Sequence, residues 1–188
     1  MRRAREAGYR SRAAFKLLEI DARERLLRPG AKVVDLGAAP GGWSQVAAER
    51  VQPGGRVVAV DLLEIAPISG VTVLRGDFCD PALEQAIVAA LGGAKADLVL
   101  SDLSPKLSGI ASADQARAAE LLRSAIALCR RQLKPGGALL AKVFQGEEFE
   151  AVLAALKAAF REVRTRKPAA SRGESRETYL LARGLKGP

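Results

Sequence analysis

The sequence predicts an α/β protein built on a mostly parallel sheet with helices on both faces. Short runs rich in valine and leucine alternate with amphipathic stretches of helical periodicity, which is typical of βαβ units. The chain has 188 residues, of which 48% are hydrophobic, and this size suits one compact core. We therefore expect a single domain over residues 1–188, beginning with a basic segment over residues 1–12.

A lead helix comes first along the chain. Its apolar side chains recur at helical spacing (Phe15, Leu18, Ala22 and Leu26), and the tripeptide RPG at 28–30 ends it. The predicted strands that follow are KVVDLG, RVVAVD, VTVLRGD, DLVLSD, GALLAKVF, EVRTRK and ETYLLARG, and the predicted helices among them cover 42–50, 82–91, 115–132 and 147–159. Because a loop over 167–176 joins the last two strands instead of a helix, we expect them to form an antiparallel edge.

The composition argues against several classes of protein. The chain contains no histidine, which removes histidine general bases and the commonest metal ligand. Cys79 and Cys129 lie far apart without metal-ligand spacing, so we expect no disulfide and no metal site, with both thiols in the core. No apolar run approaches the roughly 18 residues of a membrane span, so we expect a soluble, cytosolic (cytoplasmic) protein.

The net charge of +9 is concentrated at the two ends of the chain. Residues 1–12 carry five arginines against one glutamate, residues 161–188 carry eight lysines and arginines against three glutamates, and residues 13–160 balance to zero. Such basic ends favour the binding of a polyanion such as RNA. Solvated termini that bind nothing are the alternative, because charge alone does not separate the two.

Acidic residues and glycines occur where four predicted strands end, and open parallel sheets bind ligands at the carboxyl ends of their strands. Gly37, Gly41 and Gly42 follow the first strand in DLGAAPGGWSQ, and Asp61, Asp77 and Asp102 follow or end the next three. The glycines allow a ligand to approach closely, Asp61 can accept two ribose hydroxyls, and Asp77 with Phe78 can contact an adenine. Each aspartate alone could instead cap a turn or a helix. The spacing is not GxGxxG, which disfavours a dinucleotide.

Lys142 lies in the middle of the apolar strand ALLAKVFQG. A lysine seldom enters a core without a partner, because the loss of its hydration costs several kcal/mol. It can snorkel, with its stem along the sheet and its ammonium in water. The alternative is a role in chemistry at the carboxyl end of the sheet.

Six motifs together resemble those of the FtsJ/RlmE-type RNA 2′-O-methyltransferases. They are VVDLGAAPGGWSQ, VDLL, GDF, SDLSPKLSG, KVFQGEEF and KPAASRGESRETYLLA, and they occur in this order over nearly the whole chain. The resemblance implies a Rossmann-like class I fold that uses S-adenosylmethionine (SAM), with a seven-stranded sheet whose last strand is antiparallel. It also implies methylation of a uridine ribose of 23S rRNA in the large ribosomal subunit. We expect a monomer.

The resemblance also assigns site residues. It implies a Lys-Asp-Lys-Glu catalytic set at Lys16, Asp102, Lys142 and Glu177, and cofactor contacts at Gly41, Trp43, Asp61, Asp77 and Asp102. Two roles stay open for Lys142. It could act as general base towards the ribose hydroxyl, which a second ammonium at Lys16 would favour, or orient the hydroxyl as an ammonium, which nearby carboxylates would favour.

Methyl transfer to a ribose hydroxyl explains the strand ends, the basic termini and the lysines together. Transfer to a tRNA ribose is the alternative within the same class. From other classes come an NAD-dependent oxidoreductase, which the missing GxGxxG disfavours, and a catalytically silent RNA-binding module, which the presence of all four Lys-Asp-Lys-Glu residues disfavours.

Overall fold

The computed structural model describes residues 2–105, 108–170 and 177–187, so the loop predicted over 167–176 lies outside the described residues from 171 onward. The helices are α1 (Arg2–Glu6), α2 (Ala13–Glu24), α3 (Gly42–Val51), α4 (Pro81–Ala90), α5 (Ala111–Gln132) and α6 (Phe149–Ala159). The strands are β1 (Lys32–Leu36), β2 (Arg56–Asp61), β3 (Val71–Arg75), β4 (Ala96–Ser101), β5 (Leu133–Phe144), β6 (Phe160–Arg166) and β7 (Glu177–Leu185).

The seven strands form one sheet in the order β3-β2-β1-β4-β5-β7-β6. The strands β3, β2, β1, β4 and β5 pair in parallel with one another, whereas β7 is antiparallel to both of its neighbours, β5 and β6. The predicted α/β fold with an antiparallel last strand is therefore confirmed. The final strand is inserted between β5 and β6, so that β6 lies at the edge and β7 is covered on both sides.

Both faces of the central strands are buried, which is why these strands read as continuous apolar runs, whereas the outer strands β3 and β6 are partly exposed. Alternate residues of β4, β5 and β7 point to opposite layers. Val99, Leu139 and Leu180 pack in the layer that contains residues of α4, α5 and α6. Leu140 and Leu181 pack in the other layer, with residues of α2 and α3. Position along a central strand therefore decides which layer a side chain enters.

The lead helix is present, but of the four apolar side chains whose spacing predicted it only Leu26, which follows the end of the helix, is buried. The positions of α2 that enter the core are Ala14, Leu17 and Ile20, while Phe15 and Leu18 are only partly buried and Ala22 is exposed. Apolar side chains occur on more than one side of this helix, so spacing alone left its orientation undetermined. The helix ends at Glu24, and Arg25 after it adopts a left-handed conformation with φ of 50°.

The two cysteines differ in their surroundings. Cys129 is buried as predicted, but Cys79 is exposed, so the prediction of two core thiols is wrong for Cys79. Cys79 lies in the turn after β3, where its N–H donates to Oδ1 of Asp77 at 2.9 Å. A search of the described residues for a helix of sufficient length and hydropathy to cross a membrane finds none.

Candidate active site

The carboxyl ends of the parallel strands bring most of the predicted site residues to one edge of the sheet. Asp77 follows β3, Asp61 ends β2, the loop of Gly41 follows β1, Asp102 follows β4 and Lys142 lies near the end of β5. Because β7 is antiparallel, its first residue, Glu177, reaches the same edge and pairs in register with Phe144. The insertion of β7 thus places an acidic residue from the end of the chain next to Lys142.

Lys16 projects from α2 onto this edge. Its Nζ donates to Oε2 of Glu177 at 2.7 Å, and its side chain is only 7% exposed. Its ammonium also lies 5.7 Å from the centre of the Tyr179 ring, within range of a cation–π contact. The helix that the sequence predicted ahead of the sheet therefore carries a cation into the site.

Lys142 pairs with the other acidic member of the predicted set. Its Nζ lies 3.2 Å from Oδ1 of Asp102 and donates to the Asp102 carbonyl at 3.0 Å. The Lys142 side chain is 7% exposed, which does not fit a snorkelling side chain with its ammonium in bulk water. The four predicted catalytic residues thus form two ion pairs at one edge of the sheet.

Tyr179 links the two ion pairs. It is directly opposite Lys142 in the β5–β7 ladder, so both side chains point to the same face. Its hydroxyl donates to Oδ1 of Asp102 at 3.4 Å, while its ring lies beside the Lys16 ammonium. Tyr179 is fully buried, and burial together with the nearby charge of Asp102 raises the pKa of its hydroxyl. The phenol is therefore neutral and can donate.

Asp102 is affected by opposing influences. Burial raises the pKa of its carboxyl, while the ammonium groups of Lys142 and Lys16 lower it, and burial is the larger effect. Two buried cations and two carboxylates at one edge form a compact polar cluster. Such a cluster can hold and orient a polar substrate group and can move a proton.

A cleft of about 530 Å³ adjoins the cluster. One wall is the loop after β1, with Gly37, Pro40 and Gly42, and the other is the segment that leads into α2, with Arg10 and Ser11. Asp35, Trp43 and Asp102 also line it. A cleft of this size suits a ligand as large as a nucleoside derivative.

Of the two predicted cofactor residues in the loop after β1 and the start of α3, Trp43 is among the residues that line this cleft, whereas Gly41 lies next to the lining residues Pro40 and Gly42. Gly41 has a φ of 108°, a left-handed conformation that favours glycine, and a Cβ built there would also clash with the Ile68 side chain. Trp43 is 2% exposed, its indole N–H donates to the Ala13 carbonyl at 2.8 Å, and its ring lies 5.7 Å from that of Tyr179. Trp43 therefore joins α3 to α2 beneath the cleft.

Asp61 is engaged by both neighbouring loops. Its Oδ2 accepts from the N–H of Ala39 at 2.9 Å and its Oδ1 from the N–H of Leu63 at 2.8 Å. A carboxylate has about four lone-pair sites, so two acceptor sites remain for hydroxyl donors. Asp61 thus caps a turn and still has capacity for a ligand.

Asp77 lies furthest from the cluster, after the outer strand β3. Its Oδ1 caps its own turn through the N–H of Cys79, and its carbonyl accepts from Asp80. Phe78, which was predicted to flank an adenine, is instead 6% exposed and packs in the core with Leu36 and Val60. The structure therefore brings Asp77 to the correct edge without joining it to the Lys-Asp cluster.

Asp35 is a buried acid that the sequence reading overlooked. Its Oδ2 accepts from the Ser44 hydroxyl at 2.6 Å, while its Oδ1 is buried and has no partner among the described residues. Burial raises the pKa of Asp35 to about 7, against the opposing effect of the Ser44 hydrogen bond. An aspartate inside the valine-rich run VVDLG was the available signal, because a carboxylate is rarely placed in a core strand without a function.

Arg10 was also overlooked as an individual residue. Its guanidinium donates to the carbonyls of Ala66 and Pro67, both at 2.6 Å, and to that of Pro40 at 3.3 Å. These carbonyls belong to the loops after β2 and β1, so Arg10 ties the segment before α2 to both. No sequence signal separated it from the other arginines of residues 1–12.

The sequence model of the FtsJ-like methyltransferase family matches residues 9–185 of this chain. The ribosomal RNA large subunit methyltransferase E of Chromohalobacter salexigens is 53% identical over 187 residues, which cover 100% of this chain and 89% of that protein.

Solved structures are similar as well. A Plasmodium falciparum structure assigned as a ribosomal RNA methyltransferase superposes with a TM-score of 0.86 at 28% identity, covering 96% of this chain and 100% of that one. Aeropyrum pernix fibrillarin, solved with bound S-adenosyl-L-methionine, superposes with a TM-score of 0.64 at 18% identity, covering 93% of this chain and 75% of that one, and this likeness concerns the fold alone.

Proposed function

The chain belongs to the FtsJ-like methyltransferase family, and on that premise we propose that it transfers a methyl group from SAM to a ribose 2′-hydroxyl of 23S rRNA in the large ribosomal subunit. The observation that carries the proposal is the pair of linked Lys–acid contacts, Lys16 with Glu177 and Lys142 with Asp102, at the edge of a nucleoside-sized cleft.

The cleft suits SAM by its chemistry. A glycine loop lets a ligand approach the start of α3, and the unpartnered Oδ1 of Asp35 marks a polar site at the cleft. Asp61 does not line the cleft itself but accepts from Ala39, which does, and its spare acceptor sites match two ribose hydroxyls. In this proposal Gly41, Trp43, Asp61, Asp77 and Asp102 hold the cofactor. When bound, SAM supplies a methyl group on a positively charged sulfur, which an oxygen nucleophile can attack.

The Lys-Asp-Lys-Glu cluster acts on the nucleophile. A ribose hydroxyl is a poor nucleophile at neutral pH, so a positioned group must orient it and accept or stabilise its proton as the oxygen attacks in line. Lys142 is placed for that contact, Asp102 and Tyr179 fix the position of its Nζ, and Glu177 fixes Lys16. Because the two lysines face separate carboxylates, orientation by an ammonium is the role we favour for Lys142 over that of general base.

The substrate assignment rests on the relatives. The Chromohalobacter relative is named for the RNA of the large ribosomal subunit, and its identity of 53% extends over the whole of this chain. A basic segment over residues 1–12 leads directly into the wall of the cleft and suits a phosphate backbone. Within the family, a tRNA ribose is the alternative substrate.

A direct test measures methyl transfer from labelled SAM to 23S rRNA, to assembled large subunits and to tRNA, with the thermal midpoint followed in parallel. A ligand that binds only the native state raises the midpoint, so we expect SAM to raise it and NAD to leave it unchanged. Stabilisation by NAD and not by SAM would reject the proposal. Loss of one ribose methylation from the 23S rRNA of cells that lack this protein would identify the nucleotide.

A further inference from the structure

The edge of the sheet opposite to the site carries two adjoining clefts of about 490 and 460 Å³. Both are lined by Pro135, at the amino end of β5, and both lie where the parallel strands begin. Their cationic lining residues include Arg25, Arg28 and Lys134 in the first cleft and Lys95, Arg130 and Lys186 in the second. We call the surface formed by these six side chains the amino-edge surface.

Five of the six cations of this surface come from a part of the chain whose charges balance along the sequence, and Lys186 comes from the basic C-terminal part. Residues 13–160 have no net charge, yet the fold collects Arg25, Arg28, Lys95, Arg130 and Lys134 at one edge. Carboxylates gather at the opposite edge, among them those of the candidate active site. The only acidic side chain that lines either cleft, among the residues that the structure describes, is Asp97. Residues 13–160 are therefore neutral in total, but the fold places many of their cations at one edge of the sheet and many of their carboxylates at the other.

Three of these cations, Arg25, Lys95 and Arg130, have side chains that make no hydrogen bond or ion pair within the described part of the chain, and the last two lie together at the second cleft. Lys95 and Arg130 are both exposed. Lys134 is paired with Asp97 at 2.7 Å, and Lys186 donates to the Lys157 carbonyl at 2.7 Å. Lys95 and Arg130 can thus neutralise phosphates without breaking an existing contact.

The amino-edge surface is too far from the active site to contact the same nucleotide. Strands of five to six residues span roughly 17–20 Å, which separates the two edges of the sheet. A single nucleotide held at Lys142 cannot bridge that distance, whereas a folded RNA that surrounds the protein can contact both edges. A concave basic cleft suits a protruding phosphate backbone.

We propose that the amino-edge surface is a second RNA-binding surface, which holds phosphates of the same ribosomal RNA away from the nucleotide that is methylated. This inference rests on the proposed function, because it assigns a second protein contact to the same RNA substrate. The surface adds affinity for a large, folded RNA and leaves the chemistry at Lys142 unchanged.

The test reverses two charges, in a Lys95→Glu and Arg130→Glu double variant. Binding to large ribosomal subunits stripped of proteins, and to a short oligonucleotide that carries only the target loop, is measured over a range of salt concentrations. For the folded RNA we expect the dissociation constant to rise at least fivefold, and the slope of log affinity against log salt to fall by about 2, as the loss of two phosphate contacts requires. The oligonucleotide affinity, the SAM affinity and the rate at saturating RNA should not change.

The matched control is an Arg75→Glu and Arg164→Glu double variant. It changes the net charge equally, at two positions in the second halves of the outer strands β3 and β6 that line neither cleft. Because Arg75 lies opposite Asp61 in the sheet and Arg164 forms an ion pair with Glu162, the SAM affinity and the thermal midpoint of this control are measured as well. Equal weakening in both double variants, or none in the first, overturns the inference. The inference is also overturned if the Lys95→Glu and Arg130→Glu variant binds folded RNA normally but binds assembled subunits more weakly, because that result would indicate a protein partner.

Two further measurements keep the result interpretable. A Lys95→Gln and Arg130→Gln variant removes the two positive charges without adding negative ones. It should weaken the binding of folded RNA by a smaller factor than the glutamate variant does. It therefore tests the inference even if the glutamate variant does not fold. Methyl transfer by the unaltered protein is measured in the same assay. If the unaltered protein does not methylate, the proposed function fails; if it methylates and both surface variants bind folded RNA normally, only this inference fails.

Discussion

At the scale of single residues, Lys142 is the side chain on which the proposed chemistry depends. Lys142→Ala should abolish methyl transfer while SAM affinity stays nearly unchanged, and the thermal midpoint should fall because the buried Asp102 carboxylate loses its paired cation. Single-turnover rates and calorimetry would check this. A general base further predicts a rate that rises with pH and a Lys142→Arg variant that lacks this rise, whereas orientation by an ammonium predicts partial rescue by arginine. Substantial activity in Lys142→Ala would contradict both roles.

Asp61 should contribute affinity for the cofactor and also local order. Asp61→Ala removes the charged acceptor for two ribose hydroxyls, so we expect SAM to bind at least about tenfold more weakly. It also releases the N–H groups of Ala39 and Leu63, so the midpoint should fall modestly as well. Calorimetry with SAM measures the first effect. An unaltered SAM dissociation constant alongside a lowered midpoint would leave Asp61 with the turn-capping role alone.

Asp35 should make the stability of the protein depend on pH. Its folded-state pKa is about 7, while an aspartate in an unfolded chain ionises near pH 4. Between those values the folded protein keeps a proton that the unfolded chain has lost, so the free energy of unfolding falls by about 1.4 kcal/mol per pH unit as pH rises. This contribution is complete below about pH 4 and lost by about pH 7.

An Asp35→Asn variant isolates that effect, because it cannot ionise and still accepts from Ser44. Between about pH 5.5 and about pH 7, the unaltered protein should lose about 2 kcal/mol more of its unfolding free energy than the variant. Urea unfolding at both pH values measures the difference. Only the pH slope matters, so a uniform loss of stability in the variant does not affect the result. If the unfolding free energies of the two proteins depended on pH to the same extent, Asp35 would not hold a proton in the folded state over this pH range.

At the scale of elements, Glu24 holds the end of α2 against the antiparallel strands. Its carboxylate is 8% exposed and contacts Arg166 at 2.6 Å and Arg183 at 3.2 Å. Burial raises its pKa, but the two arginines together outweigh burial, so the net effect is a lowered pKa. The stabilisation is therefore present above about pH 4.5 and declines as the pH falls through the lowered value.

Glu24→Gln should lower the free energy of unfolding by about 1–3 kcal/mol, because both arginines lose a charged acceptor. The matched control is Glu162→Gln, which disrupts the more exposed pair with Arg164 and should change stability by less than about 1 kcal/mol. Denaturant unfolding of the two variants provides the comparison. An equal effect at both positions would show that the contact of α2 with the strands is no stronger than an ordinary surface pair.

The sequence predicted the helices and strands better than it predicted the pairing of strands or the roles of single buried residues. Short runs of β-branched and apolar residues and helical spacing predicted every strand and each helix from α2 to α6, because burial on both faces of the central strands and on one face of each helix leaves a local pattern. The insertion of β7 between β5 and β6 left no such pattern, since the choice of a strand partner depends on residues far away in the chain. Tyr179 and Asp35 were overlooked for the same reason: a tyrosine or an aspartate in an apolar strand gains its role from neighbours on other elements.

At the scale of the whole molecule, the basic N-terminal segment should contribute to RNA binding and not to SAM binding. Reversal of Arg2, Arg3 and Arg5 to glutamate should weaken RNA binding and reduce its dependence on salt, because fewer counterions are released from the phosphates. SAM affinity should not change, since the cleft is lined by residues from Arg10 onward. Filter binding across a salt series would check both expectations. RNA binding as tight and as salt-sensitive as before would remove the basic N-terminal segment from the RNA contact.

The position of β7 also has a consequence for how the protein is made. Lys16 and Glu177 lie 161 positions apart, so an emerging chain carries one member of the pair long before the other is synthesised. Until β7 emerges, β5 presents an unpaired edge and β6 has no strand to join, since β7 is the neighbour of both. An open edge of this kind is a site where chains aggregate. The nascent chain must therefore remain inactive and vulnerable until its last strand closes the sheet, and a ribosome that stalls late in the message would release a chain without a complete active site.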